Sequence, residues 1–152
     1  PLPGAFVQPF QAGPLDLFSP AFAARRRSAL TRRLGELAAG IFDTGRALAH
    51  WDAHAGTVNA LLPWQAFDRD TAGTLFDRLA PAHRAALCAH VAEDPVRGRR
   101  GFPDLTVLGA RGCCFLEVKG PGDTLRPDQR DWLASLRGAG VPAGVLEVRF
   151  AA

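Results

Sequence analysis

The chain has 152 residues, nearly half of them apolar (47%) and under a quarter charged (22%), a composition that suits one globular domain with a single core. No apolar run is long enough to span a membrane, no charged leader precedes an apolar segment, and three cysteines, two of them adjacent, make no disulfide framework. A membrane-spanning or disulfide-stapled protein is thereby excluded; a reducing cytosolic compartment fits (nuclear in a eukaryote), and the net charge of +3 is compatible with a nucleic-acid partner. The first residue is Pro1 and methionine is absent, so the chain is expected to be the C-terminal part of a longer protein.

Residues 1–20 hold five prolines and no period, which predicts an irregular arm with Phe6, Phe10, Leu15, Leu17 and Phe18 as packing groups. Ser19-Pro20 reads as a helix start, and Leu30, Leu34, Leu37, Ala38 and Ile41 as the inner stripe of a helix over 21–39. A second helix follows Asp43 and runs to His54. The stretch 57–67 reads as a short strand or an extended loop. Asp70-Thr71 is expected to cap a third helix ending near Leu79. Pro81 opens a fourth to Glu93, with Leu87, Cys88 and Val91 on its apolar side. Beyond the basic loop 94–101 come two strands, a helix over 127–138, and a last strand over 143–149.

The chemistry lies in "GFPDLTVLGARGCCFLEVKGPGD", residues 101–123. A hairpin turning at Ala110 and Arg111 sets Gly109 against Gly112, so paired numbers sum to 221 and Asp104 falls opposite Glu117. Residues directly opposed across an antiparallel pair share a face, as do residues two apart on one strand. Lys119 therefore joins the two acids. The other face receives Leu105 with Leu116, Val107 with Cys114 and Pro103 with Val118, and is expected to be the core face. Two carboxylates brought together repel unless a cation neutralises them or one stays protonated. Hard cations such as Mg²⁺ or Mn²⁺ take oxygen ligands and keep water positions, and a neighbouring lysine can steady charge on a phosphate. The cluster thus reads as metal-dependent phosphodiester hydrolysis. A structural ion network at a sheet surface fits the same residue types and stays open.

"PD", twelve residues, then "EVK" resembles the PD-(D/E)xK nuclease signature. The longer "RGFPDL…EVKGPGDTLRPDQRDWLASLRGAGV" resembles the VRR-NUC branch of that superfamily. "FVQPFQAGPLDLFSPAFAARRR" and "HVAEDPVRGRRGFPDL" are similar to the C-terminal nuclease domain of the Fanconi-associated nuclease family. The resemblance implies an α/β restriction-endonuclease-like core with a small mixed sheet flanked by helices. Residues 1–92 would be its helical part and 93–152 its catalytic core, in one continuous domain. It further implies a structure-specific DNA nuclease, acting as 5′-flap endonuclease and 5′ exonuclease in interstrand-crosslink repair with Mg²⁺ or Mn²⁺. Carried over by motif, Asp104, Glu117 and the carbonyl of Val118 are metal ligands, Lys119 is the catalytic lysine, and Gln129 belongs to the Q-x-x-W helix. Gln129 shares a helix face with Trp132, Leu133 and Leu136 and so should point inward. The family's further acid lies on a helix upstream of Pro1; Glu36, Asp43 and Asp52 lack its motif context.

Arg97, Arg99 and Arg100, just before the acids, are candidates for phosphate contacts. Arg32 and Arg33 sit opposite the leucine stripe, on a solvated face or along a DNA backbone. His50 and His54 stand four apart without a third ligand, Cys113 and Cys114 read as core fillers, and "KGPGD" is a turn rather than a phosphate-binding loop. Trp51 and Trp64 read as core. DNA, branched or with a 5′ flap, is the expected partner, and a membrane is not. Two rival readings accompany this one: a catalytically incomplete DNA-binding or scaffold module, and a dimeric junction-cutting nuclease.

Overall fold

In the computed structural model, which describes residues 11–66, 68–110 and 112–150, helices occupy the N-terminal two thirds and a small sheet the rest. The order is α1 (Phe22–Arg25), α2 (Arg27–Ala38), α3 (Thr44–His54), α4 (Arg69–Arg78), α5 (Pro81–Glu93), β1 (Leu105–Gly109), β2 (Gly112–Lys119), α6 (Pro127–Gly138) and β3 (Ala143–Glu147). No helix among the described residues is long and apolar enough to cross a membrane.

The expected helix over 21–39 is broken at Arg26, whose backbone leaves helical geometry and whose side chain makes a part-buried ion pair. The Arg26 guanidinium is only 6% exposed, lies 4.3 Å over the Phe22 ring and grips Asp16 with Nη1–Oδ2 and Nη2–Oδ1 distances of 2.9 and 2.7 Å. This fork anchors the described part of the arm, where Leu17 is buried while Leu15 and Phe18 are exposed. Phe6 and Phe10 lie outside the described residues. The Arg26 hydrogen bonds hold the Asp16 carboxyl down at about 2, against an ordinary 3.8. A depressed folded value means stability that is present above pH 4 and lost as pH falls through 2. Asp16→Asn should therefore melt lower than the parent near neutrality, with the gap closing between pH 4 and 2 in a series of thermal melts.

Other departures are smaller. The α2 stripe is only half buried, Ala38 and Ile41 being exposed, because α2 packs chiefly on one neighbour, α5. Asp68, not Asp70, caps α4 through the Thr71 N–H. Residues 57–66 are a loop, fixed by the Trp64 Nε1–H bond to the Thr57 carbonyl and an edge contact between Trp51 and Trp64 at 4.9 Å. Cys88 lines an apolar cavity with Leu87 and Val91, where burial pushes its thiol up although its outer surface stays open. The last strand stops at Glu147.

The sheet is ordered β1-β2-β3, antiparallel then parallel, with α6 as the crossover. Leu105 pairs with Leu116 and Gly109 with Gly112, the register that the turn dictates. The burial of the two faces is opposite to the expected one. Phe115 (2% exposed) and Glu117 lie on the covered side, while Leu105 and Val107 on the other are 42% and 44% exposed. The cause is α6, which lays Trp132 and Leu136 over Phe115; Leu79 and Val141 close that core, with Cys113 packed against it. The acid face and the core face are one.

Candidate active site

Glu117 sits at the centre. Strand alternation puts it two residues beyond Phe115, on the side that α6 covers, and leaves it 1% exposed. Its Oε1 accepts from Lys119 Nζ at 2.9 Å and from Gln129 Nε2. Its Oε2 has no partner and, among the described residues, is the one buried side-chain oxygen or nitrogen in that position.

Gln129 joins these groups to the helix. Pro127 at the first turn of α6 starts the helix without needing an N–H, and Gln129 two residues on reaches back. Its Oε1 accepts from the Arg126 N–H at 2.9 Å and from Lys119 Nζ at 3.0 Å. The first of these is the return half of a capping box. The buried amide is thus satisfied as donor and acceptor, as its inward helix face requires.

Asp104 is placed differently from its partners. The ladder ends at Leu105, and Asp104 Oδ2 accepts from the Val118 N–H at 2.9 Å while the residue stays exposed. Glu117, Lys119 and Gln129 form one hydrogen-bonded set; Asp104 is tied to the backbone next to it. Among the described residues no three His, Cys, Asp or Glu side chains are grouped for a metal ion. His50 and His54 stack their rings at 5.4 Å, and His50 also meets the Phe42 ring at 6.0 Å.

The three loop arginines diverge. Arg99 lies over the Phe18 ring at 4.8 Å, Arg97 is within 3.8 Å of Asp94, and Arg97 and Arg100 both line a cavity of about 790 Å³ between α5 and the start of α6. That cavity also carries Glu93, Asp94, Asp128 and Asp131. His90, on its wall, stacks on Trp132 at 3.8 Å, and burial holds its imidazole below the ordinary range although Glu93 and Asp131 pull upward. Arg32 and Arg33 both pair with Glu36.

Gly101 has a structural role that composition alone does not reveal. Its φ of +75° is a left-handed value, and a Cβ there would lie 2.6 Å from the Asp128 carbonyl carbon and 2.8 Å from the Gln129 nitrogen. The chain just before Asp104 is therefore pressed against the first turn of α6, which fixes both halves of the site relative to each other. The sign in the sequence is a glycine three residues ahead of the aspartate. Gly101→Ala should lose about 2–4 kcal/mol of stability from backbone strain and overpacking. A urea titration at constant slope reads this directly, and an unchanged midpoint would refute the packing.

Comparison with known proteins gives the VRR-NUC domain model as a match over residues 45–150. A Fanconi-associated nuclease 1 homolog of Pseudomonas aeruginosa is 32% identical over 151 residues, 98% of this chain and 27% of that protein. Human Fanconi-associated nuclease 1 is 35% identical over 152 residues, 97% of this chain and 15% of the human protein. The chain thus spans well under a third of the length of these relatives. A crystal structure of paFAN1 bound to DNA with a two-nucleotide 5′ flap and a gap aligns with a TM-score of 0.86 at 31% identity, covering 99% of this chain and 28% of that one. The small mixed sheet flanked by helices is the fold of that nuclease.

Proposed function

We propose, because this chain belongs to the VRR-NUC domain family and carries the constellation just described, that it hydrolyses DNA phosphodiester bonds with Mg²⁺ or Mn²⁺. The substrates are branched or 5′-flap structures, cut as an endonuclease at the flap and a 5′ exonuclease, in the repair of interstrand crosslinks. Residues 93–152 supply the catalytic core and 1–92 its helical support, within one domain and a cytoplasmic or nuclear setting.

The observation that carries the reading is Glu117 Oε2, a buried carboxylate oxygen with nothing to meet it. Such an atom costs about 1–3 kcal/mol unless something fills the gap, and a cation suits a carboxylate best. Asp104 stands beside Val118, whose carbonyl leaves the strand on the same edge as the N–H that Asp104 holds. Glu117, Asp104 and the Val118 carbonyl make an all-oxygen donor set, which fits a hard cation. When bound, Mg²⁺ or Mn²⁺ would polarise a phosphate oxygen and lower the pKa of a water.

This chain's own residues do the rest. Lys119 carries its ammonium on the same face as Glu117, where it orients the attacking water and steadies charge on the phosphate. Gln129 keeps Lys119 there, itself fixed by the Arg126 N–H. Arg97 and Arg100 take phosphates on the α5 side, and Arg99 joins them by leaving the Phe18 ring. Contacts to phosphate carry no base information, so preference falls on DNA shape.

A second reading, a DNA-binding module without cleavage, is favoured by the absence of a three-residue metal cluster among the described residues. A labelled 5′-flap DNA with Mn²⁺ separates the two. Cleavage by the chain and none by Asp104→Ala supports the nuclease. Cleavage only by a chain extended N-terminally means that the site is real but completed upstream, and binding of the flap by both chains without cleavage supports the module.

A further inference from the structure

Beyond β2 a second cavity, of about 570 Å³, opens beside the site, and Lys119 forms part of its wall. One side is the turn 120–123, braced by the Gly120 N–H bond to Asp123 Oδ2 at 2.9 Å and by the Asp123 N–H bond to the Gly120 carbonyl at 3.1 Å. The facing side is the end of β3. There Val145 and Glu147 lie in register with Glu117 and Lys119 and share their face. Leu125 and Val145 give the cavity apolar surface, and Arg149 stands on its wall.

A further phosphate has fewer carboxylates to meet here than in the larger cavity, whose arginines take others. Four carboxylates oppose two guanidinium groups in the larger cavity. In this one two carboxylates, Asp123 and Glu147, stand with two cations, Lys119 and Arg149. Arg149 meets Glu147 at 3.3 Å, but with side chains 86% and 69% exposed the pair is weak and easily exchanged. A guanidinium matches phosphate oxygens in bidentate geometry. The volume suits one small polar ligand with an apolar body, as a sugar–phosphate unit is.

We infer that this cavity is the subsite for the nucleotide adjoining the scissile phosphate, with its sugar against Leu125 and Val145 and its flanking phosphate held by Arg149. The assignment rests on the nuclease reading above, because Lys119 is common to both. It gives the substrate strand a fixed direction across the site: past Lys119, then into the turn–β3 cavity.

The test pairs Arg149→Ala with flap DNA carrying single methylphosphonates, moved one position at a time around the cut. Arg149→Ala should lower kcat/KM about ten-fold on ordinary DNA while leaving the melting temperature unchanged, since the side chain is exposed. A methylphosphonate at one flanking position should cost the parent a similar factor and the variant almost nothing more. Arg149→Lys should recover part of the loss. In binding titrations the slope of log K against log salt should fall by about one. Additive losses at every position, or an unchanged kcat/KM, overturn the subsite. If neither the parent chain nor one extended N-terminally cuts a flap, the nuclease reading fails instead. The methylphosphonate and salt-slope comparison in binding then still decides whether Arg149 holds a phosphate.

Discussion

Glu117→Gln should abolish Mn²⁺-dependent cleavage, by about 10³-fold or more, and leave the fold standing. The expectation follows from what each oxygen of this carboxylate does. Oε1 is shared by Lys119 and Gln129, so an amide oxygen in its place keeps both contacts. Oε2 is buried with no partner, and an amide nitrogen there presents hydrogens to any cation. The substitution therefore removes one of the two carboxylate charges of the proposed metal site, Asp104 keeping the other, without opening a cavity. Lys119 loses an ion-pair partner but retains the Gln129 oxygen at 3.0 Å, so the metal-free melting temperature should move little. The decisive contrast is with metal. At about 100 times its dissociation constant, Mn²⁺ should stabilise the parent by about 2.7 kcal/mol through mass action. The Gln variant should gain nothing. A variant that still rises with Mn²⁺, or that cuts within ten-fold of the parent, would show that Glu117 is a structural acid and nothing more.

What the sequence disclosed about this site was its register, and the reason is local. A two-residue turn between glycines and a strict period of two determine which residues face each other, and Leu105 does meet Leu116. The same alternation does not say which face a helix will cover. Leu105, Leu116 and Val107 make the more apolar set, yet Phe115 and Glu117 are buried, because Trp132 and Leu136 arrive from a crossover helix over a dozen residues later. Tertiary packing overrode the hydropathy of the strand. Gln129 was legible because helical spacing aligned it with three apolar residues. Arg26 was not: within "ARRR" it looks like its neighbours, and its burial depends on Asp16 ten positions earlier in an arm without period. At "DRDT" two aspartates competed for one cap, and the one three residues before the Thr71 N–H won. The asymmetry of Asp104, held by a backbone N–H rather than grouped with Glu117, belongs to the strand's end, where pairing rules stop applying.

Trp132→Ala carries the largest expected loss of stability. The side chain is 2% exposed and packs with Phe115, Leu136 and Val141. It meets the edge of Phe102 at 4.9 Å and the ring of His90 at 3.8 Å, and its Nε1–H donates to the Gly98 carbonyl at 3.1 Å. Truncating a buried tryptophan costs about 3–5 kcal/mol, a large share of the 5–15 kcal/mol that domains usually possess. Trp132→Phe separates two contributions. It keeps most of the ring contacts and loses the bond to Gly98, so about 1–2 kcal/mol should disappear. Gly98 is packed closely against α5, a Cβ on it lying 2.7 Å from the His90 carbonyl, and the Trp132 bond is what ties it to α6. The freed loop carries Arg97, Arg99 and Arg100, and leads through Gly101 to Asp104. Trp132→Phe should therefore stay folded in urea titrations while flap cleavage weakens several-fold, chiefly through KM. An equal loss for Phe and Ala would mean that the Gly98 bond, and not the ring, supports this corner. A Phe variant with unchanged KM would mean that the loop holds its arginines without help from α6.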